Sequence, residues 1–215
     1  EINNPLTGVL GAAQILAMDL PPSSDGYALA QEIEAQAQRI RKIVTNLHRL
    51  AQKETGQELA TVDLNRIIED AVELVGFEEL RKGNVVVDRQ YHQPPPALRG
   101  APVRLQEAVV ELITNARRAM PEGGRLMLST FVPDPRLVAL RVADTGRGIA
   151  PEIIDKIFDP FFTTKHNWTS LGMGLTLVHK IVEDHRGTIL VDSRVGQGAS
   201  FTVTFPVPSG PSHLE

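Results

Sequence analysis

The polar side chains with the most informative spacing lie between residues 111 and 118. Glu111, Asn115 and Arg118 are separated by four and three positions, so they share one face of a helix. A carboxylate, an amide and a guanidinium on one face could hold a metal ion and a phosphate group together. A solvated helix face has the same pattern, so the cluster alone leaves both interpretations open.

A second candidate site begins at Asp144, directly after an apolar segment that is typical of a strand. Gly146 and Gly148 follow it. This arrangement suits a ligand that needs one hydrogen-bond acceptor and close approach of the backbone. A tight turn with an aspartate cap would have the same sequence, and the pattern does not separate the two.

A third candidate is the segment 172–175, where Gly172 and Gly174 come just before a helix that we predict from Leu175. Free amides at a helix N-terminus attract phosphate oxygens. The segment lacks the P-loop pattern and does not follow a strand, as a dinucleotide-binding turn would. By itself it is a weak phosphate-binding signal.

Residues 145–170, between the second and third candidates, form a long connection for a compact domain, which favours a functional loop. The loop contains Phe158, Phe161 and Phe162, and Lys165 follows them. It could be a lid that packs when a ligand binds. Phenylalanines are more often simple core residues.

The elements that would position these residues predict an α+β domain. Helices are expected after a cap at Asp63 and over residues 105–120 and 175–185. Strands are expected at 85–87, 125–132, 137–143, 188–192 and 199–207. Helices and a mostly antiparallel sheet in separate runs are typical of an α/β sandwich.

The first 55 residues show no alternation of the kind that strands have. Apolar residues instead recur at alternating spacings of four and three, with Gln36 in the one gap: Leu29, Ile33, Ile40, Ile43, Leu47 and Leu50. A shorter stripe begins at Ile2, and residues 21–26 break the two apart. We predict a helical hairpin that a second copy completes as a four-helix bundle, or that packs on the rest of its own chain.

Composition excludes several classes of protein. The net charge of −4 argues against nucleic acid as the main partner. The sequence contains no cysteine, which excludes a thiol nucleophile and a thiolate metal site. No apolar run approaches the length of a membrane span.

Five short motifs in a fixed order resemble the bacterial sensor histidine kinases of two-component systems. The segments 1–6, 111–120, 144–149, 158–164 and 172–175 resemble the H-box, N-box, G1 box, F-box and G2 box. The resemblance covers essentially the whole chain. It implies a dimerisation and histidine-phosphotransfer hairpin at 1–55, a linker at 56–61, a Bergerat-type ATP-binding domain at 62–208 and a tail at 209–215.

The resemblance also implies roles for single residues. Asp144 would accept the adenine amino hydrogen, with Thr202 helping through water, and Asn115 would hold Mg²⁺ against the triphosphate. The other ATP contacts would come from Arg118, Gly146, Gly148, Lys165, Gly172, Gly174 and Leu175.

In the H-box, the phospho-accepting histidine would directly precede Glu1 and so lies outside this sequence. Glu1 would polarise its imidazole as a general base, and Asn4 would position water for dephosphorylating the partner regulator. The pattern alone indicates that Asn4 caps a helix with Pro5 at its first position. The resemblance implies instead that the helix continues upstream and bends at Pro5.

Glu111 stands where many sensor kinases carry asparagine and several ATPases of the same superfamily carry glutamate. It could activate water, activate the attacking group or hold Mg²⁺ through water.

The main prediction is a cytoplasmic bacterial protein-histidine kinase core. It would form a homodimer, phosphorylate the histidine before Glu1 and pass the phosphoryl group to the receiver domain of a response regulator. Membrane attachment would come only through an upstream region. The alternatives are an ATPase clamp with Glu111 as base and a non-catalytic nucleotide-gated scaffold.

Overall fold

The computed structural model describes residues 2–51, 59–164 and 172–207. These residues form two compact units, a helical one within residues 2–51 and an α/β one in the remainder. The predicted linker at 56–61 ends early, because Ala60 and Thr61 already belong to the first strand of the second unit. The predicted tail at 209–215 lies outside the described residues.

The first unit is the predicted helical hairpin, formed by α1 (Asn3–Asp19) and α2 (Asp25–Ala51). Small side chains let the helices approach closely, since Ala13, Ala30 and Ala37 are each 2% exposed. Neither of these helices, nor any other helix in the described part of the chain, is long and apolar enough to cross a membrane.

The start of α1 decides between two interpretations of Asn4. Ile2 already has helical dihedral angles (φ −63°, ψ −33°), and its carbonyl accepts a hydrogen bond from Leu6 N at 3.3 Å. Asn4 therefore lies inside the first helical turn, and the prediction that it caps the helix is wrong.

The second unit has a five-stranded sheet with helices packed on one face. The sheet order is β2-β4-β5-β7-β6, where β2 is Val85–Gln90, β4 is Gly124–Asp134, β5 is Leu137–Asp144, β6 is Thr188–Arg194 and β7 is Gly198–Pro206. A separate antiparallel pair joins β1 (Ala60–Asp63) to β3 (Ala97–Gly100). The helices are α3 (Leu64–Val75), α4 (Phe77–Lys82), α5 (Pro102–Ala119) and α6 (Gly174–Asp184), with a 3₁₀ turn at Pro151–Lys156.

Alternation along the strands explains the sandwich. In β7, Phe201, Val203 and Phe205 are buried on the helix side, while the residues between them are partly exposed. Leu112 and Ile113 of α5 fill the same core. The predicted α/β sandwich is confirmed, with one difference: β2 pairs in parallel with β4, so the sheet is mixed.

The predicted helix cap at Asp63 is also confirmed. Its Oδ1 accepts hydrogen bonds from the backbone N–H groups of Asn65 at 2.8 Å and Arg66 at 3.2 Å. These are two of the donors that a helix start leaves without partners, so the aspartate fixes where α3 begins.

His185 joins the end of α6 to the start of α5. Its Nε2 accepts a hydrogen bond from Ala101 N at 2.9 Å, and its Nδ1 donates to Ile181 O at 2.7 Å. Gly100 leaves room for the ring, because a Cβ there would lie 2.8 Å from Cδ2 of the imidazole. This buried contact therefore fixes the relative position of two helices that carry candidate site residues.

Replacing His185 with alanine should lower the free energy of unfolding by about 1–3 kcal/mol, because the Ala101 N–H would be buried without an acceptor. Urea denaturation followed by circular dichroism measures this loss. The matched control is His179→Ala on the same helix, where the side chain is 43% exposed and the expected change is under about 0.5 kcal/mol. Equal losses in the two variants would contradict this role of His185.

Candidate functional site

The first and third candidate segments meet where α6 begins against α5. A Cβ atom on Gly174 would lie 2.6 Å from Glu111 Oε2 and 3.8 Å from Asn115 Nδ2. Any side chain at Gly174 would therefore displace the Glu111 carboxylate. The helix start that could bind phosphate and the polar face of α5 form one local arrangement.

The second candidate segment packs against the other end of α5. Arg147 N donates to Ala119 O at 3.1 Å, and a Cβ on Gly146 would lie 2.5 Å from that same carbonyl. A glycine is needed there because the two backbones touch. All three candidate segments are thus built around α5.

The turn between β6 and β7 holds the Asp144 segment from the opposite side. Gly198 has φ +89°, and a Cβ there would lie 1.8 Å from the Asp144 carbonyl oxygen. Ser193 Oγ accepts from Ile149 N and donates to Gly198 O, both at 2.8 Å. The sequence analysis did not identify Ser193 or Gly198 as supports of the site; the glycines on either side of Gln197 were the available signal.

Asp144 is buried, with 6% of its surface exposed, at the end of β5. Its Oδ1 accepts a hydrogen bond from Gly146 N at 2.8 Å, and the carboxylate also accepts one from the backbone of Ala199. Burial raises the pKa of Asp144, and the two backbone hydrogen bonds offset this only in part. A buried carboxylate held in one orientation is a candidate acceptor for a ligand N–H group.

Thr202 does not lie with Asp144. It pairs with Arg141 across the β5–β7 ladder, and its hydroxyl accepts a hydrogen bond from Arg141 Nε at 3.2 Å. Side chains alternate between faces along a strand, so Arg141 and Thr202 occupy the face opposite Asp144. The role predicted for Thr202 does not fit this geometry. The residue of β7 beside the Asp144 carboxylate is instead Ala199. Its backbone donates a hydrogen bond to that carboxylate, but it has no polar side chain.

The Gly172 backbone lies against the predicted lid. Gly172 has φ +65°, and a Cβ there would lie 2.3 Å from Phe162 O. The phenylalanines differ in their surroundings: the Phe158 ring lies 5.3 Å from the His179 ring, whereas Phe161 is 54% exposed and has φ +66°. Phe161 is therefore not a core residue, so the alternative interpretation, in which these phenylalanines are simple core residues, does not hold for it.

The remaining predicted residues fall into three groups. Arg118 is exposed on the last turn of α5 and makes no ion pair with another described residue, and Leu175 is half-buried in the first turn of α6. Asn4 is exposed on α1, in the first unit. Glu1 and Lys165 lie outside the described residues.

Glu111 and Asn115 of α5, beside the start of α6, are side chains of a kind that could hold a magnesium ion. A carboxylate and an amide are oxygen donors of the kind Mg²⁺ prefers, and Mg²⁺ usually takes its other ligands from phosphates and water. In the described ranges no group of three or more His, Cys, Asp or Glu residues could hold a metal ion.

Two family models match the chain. Residues 100–209 match the histidine kinase-, DNA gyrase B- and HSP90-like ATPase family, and residues 1–56 match the His Kinase A (phospho-acceptor) domain. Among curated proteins, the sensor histidine kinase ZraS of Escherichia coli K12 is 35% identical over 207 residues, which cover 96% of this chain and 43% of ZraS. The chain thus spans less than half the length of this relative.

Solved histidine kinase structures have the same fold. Full-length ShkA in complex with AMPPNP matches 94% of this chain and 43% of its own, with a TM-score of 0.75 and 25% identity. Histidine kinase ThkA in complex with the response regulator protein TrrA matches 95% of this chain and 58% of its own, with a TM-score of 0.70 and 25% identity. The matches cover both units, and the chain belongs to the sensor histidine kinase family.

Proposed function

We propose that this chain is the autophosphorylating core of a two-component sensor kinase. The second unit binds Mg-ATP, and the γ-phosphoryl group passes to a histidine directly before Glu1 and then to an aspartate of a response regulator. The observation that carries the proposal is the packing of Gly174 on Glu111 and Asn115, on the same helix whose far end contacts the Asp144 segment.

The distances along α5 support one subsite for the base and another for the phosphates. Ala119, which contacts the Asp144 segment, and Glu111, which contacts Gly174, are eight residues apart, or about 12 Å along a helix. We assign the adenine to Asp144, whose carboxylate accepts the amino hydrogen, with Gly146 allowing close approach. The triphosphate then extends toward the start of α6.

The phosphate subsite combines backbone amides with charged side chains. The N–H groups at the start of α6 point toward a ligand there, and the helix dipole favours negative charge. Arg118, Lys165 and the backbone at Gly172 and Gly148 complete the binding set. Asn115 holds Mg²⁺, which neutralises phosphate charge when it is bound.

Phosphoryl transfer to the histidine forms a nitrogen–phosphorus bond as the bond between the γ-phosphorus and its bridging oxygen breaks, leaving ADP. Glu1 accepts the proton from the other imidazole nitrogen, so that the ring does not keep a positive charge when the attacking nitrogen bonds to phosphorus. Asn4, which is exposed on α1, positions water for removing the phosphoryl group from the response regulator.

Two copies of the chain form the working unit through residues 1–55, and a receiver domain is the second partner. The ThkA–TrrA complex supports a response regulator as partner, because its two proteins are a histidine kinase and a response regulator. We propose a cytoplasmic location for both units.

A second candidate function is ATP hydrolysis, in which Glu111 activates water. The contact of its carboxylate with the start of α6 favours this reaction, since a base there would be close to the terminal phosphate. The two functions differ in where the phosphoryl group goes.

The experiment that separates them uses the parent protein carrying the histidine before Glu1, incubated with Mg²⁺ and γ-labelled ATP. A kinase gives protein-bound label that is labile in acid and stable in base, and Asn115→Asp abolishes it. Steady release of free phosphate without protein label would overturn the kinase proposal and favour the ATPase.

Acidification should weaken ATP binding through Asp144. Only the ionised carboxylate is a full acceptor for the adenine amino group. Because burial raises the pKa of Asp144, protonation begins at a higher pH than for an exposed aspartate. Affinity should therefore begin to fall at a higher pH than it would with an exposed aspartate, and it should be lost progressively as the pH is lowered further.

Calorimetric titration with ATP and with inosine triphosphate, which lacks the amino group, isolates this effect. The preference for ATP should decline with pH in the natural chain, and Asp144→Asn should lose about tenfold or more in ATP affinity at neutral pH. A preference that does not change with pH would contradict the assignment.

Replacing Gly174 with alanine should lower phosphoryl transfer with little loss of stability, because the added Cβ meets the end of the flexible Glu111 side chain. A double-mutant cycle with Glu111→Ala tests the mechanism. If the alanine acts by displacing the carboxylate, it should have almost no further effect on the rate in the Glu111→Ala background. Full additivity of the two rate losses would contradict this coupling.

A further inference from the structure

One face of the helical hairpin remains apolar and exposed. On α2, Leu29 is 59% exposed, and Ile33, Ile40 and Leu47 are each 45% exposed. On α1, the corresponding residues are Ile2, Val9 and Leu16, exposed by 59%, 47% and 50%. We refer to these seven residues as the apolar stripe.

Gln36 interrupts the apolar stripe at its centre. It lies three residues after Ile33 and four before Ile40, so it occupies a heptad position that an apolar residue would normally fill. Its neighbour Ala37 is 2% exposed and belongs to the different face that packs against α1. Gln36 is therefore not part of the contact within the hairpin.

Two other glutamines of the hairpin make side-chain hydrogen bonds that Gln36 does not make. Gln14 and Gln38 both donate to Glu34 Oε1, at 2.9 Å and 3.1 Å, along the flank of the hairpin. Gln36 is exposed, and its side chain makes no hydrogen bond with another residue in the described ranges. If a second copy covers the stripe, this amide is buried with it and needs a hydrogen-bond partner there.

We propose that Gln36 pairs with Gln36 of the partner subunit and thereby fixes the register and partner choice of the homodimer. An amide both donates and accepts, so it is complementary to a copy of itself across a two-fold axis along the bundle. The stripe carries no charged residue, which suits a face that meets an identical face. The inference rests on the homodimer of the proposed function and goes beyond it by naming the residue that specifies it.

The hairpin provides room for this pair. The Gln14–Glu34 hydrogen bond shows that these two residues lie at the same height in the hairpin. Because the helices are antiparallel, Gln36, two residues further along α2, lies at about the height of Ala12, two residues back along α1. Gly11 is adjacent, and a Cβ added there would meet nothing within 4 Å. Small residues on α1 thus leave space for two amide side chains in one layer.

Burying a polar pair in an apolar layer lowers stability and raises specificity. A correctly aligned copy satisfies both amides, whereas a shifted copy, or a different hairpin with an apolar residue at this level, buries an amide without a partner. The expected signature is a variant that dimerises more strongly with itself but poorly with the natural chain.

Gln36→Leu is the test, and Gln38→Leu is the matched control because it makes the same change off the stripe. Sedimentation equilibrium of each full chain measures the dimer dissociation constant. This constant should be about tenfold lower for Gln36→Leu than for the natural chain, because the variant dimer is tighter. The control should match the natural chain.

Mixing tests partner choice. Natural and mass-tagged Gln36→Leu chains, equilibrated and examined by native mass spectrometry, should form mixed dimers well below the statistical proportion, while Gln38→Leu mixes statistically. Statistical mixing of both variants would overturn the inference and leave the homodimer intact. A natural chain that stays monomeric would overturn the homodimer as well.

Discussion

The ATP-binding unit depends on backbone contacts that leave no space for a side chain. Gly146 meets the Ala119 carbonyl, Gly174 meets Glu111, and Gly198 meets the Asp144 carbonyl. At Gly146 and Gly198 the neighbour is backbone, so only glycine permits the approach, whereas at Gly174 it is the end of the Glu111 side chain. The positions of the polar side chains follow from this, because the loops that carry or surround them are fixed by close packing rather than by hydrogen bonds between the functional groups.

Much of this arrangement was predictable from the sequence, and the reasons are local. Heptad spacing of apolar residues predicted the hairpin, and Asp63 predicted the start of α3. Alternation of apolar and polar residues predicted the buried strands. The parallel pairing of β2 with β4 was not predictable, because strand direction depends on how the chain returns across the helices and leaves no mark in a short apolar segment. The small β1–β3 pair was missed for a similar reason, since four residues are too few to show a period.

At the site, the sequence identified which residues carry chemistry better than which face they occupy. Asp144, Asn115 and Glu111 were found from residue type and spacing. Thr202 was assigned on family resemblance alone. Side chains alternate between the two faces of the sheet, and Thr202 lies with Arg141 on the face opposite Asp144. Ser193, which supports the site, could not be predicted from the sequence. A single serine in a strand has no recognisable pattern, and its role depends on the loop to which it hydrogen-bonds.

Strand β1 also gives the second unit a defined point at which to take up mechanical load. It is the first described element after residue 51 and pairs along its whole length with β3, whose last residue adjoins Ala101 and the His185 hydrogen bond. Tension arriving along the chain would first be borne by this short antiparallel ladder. The four pairs of this ladder would have to open before the tension reached α3, which follows β1 directly in the chain.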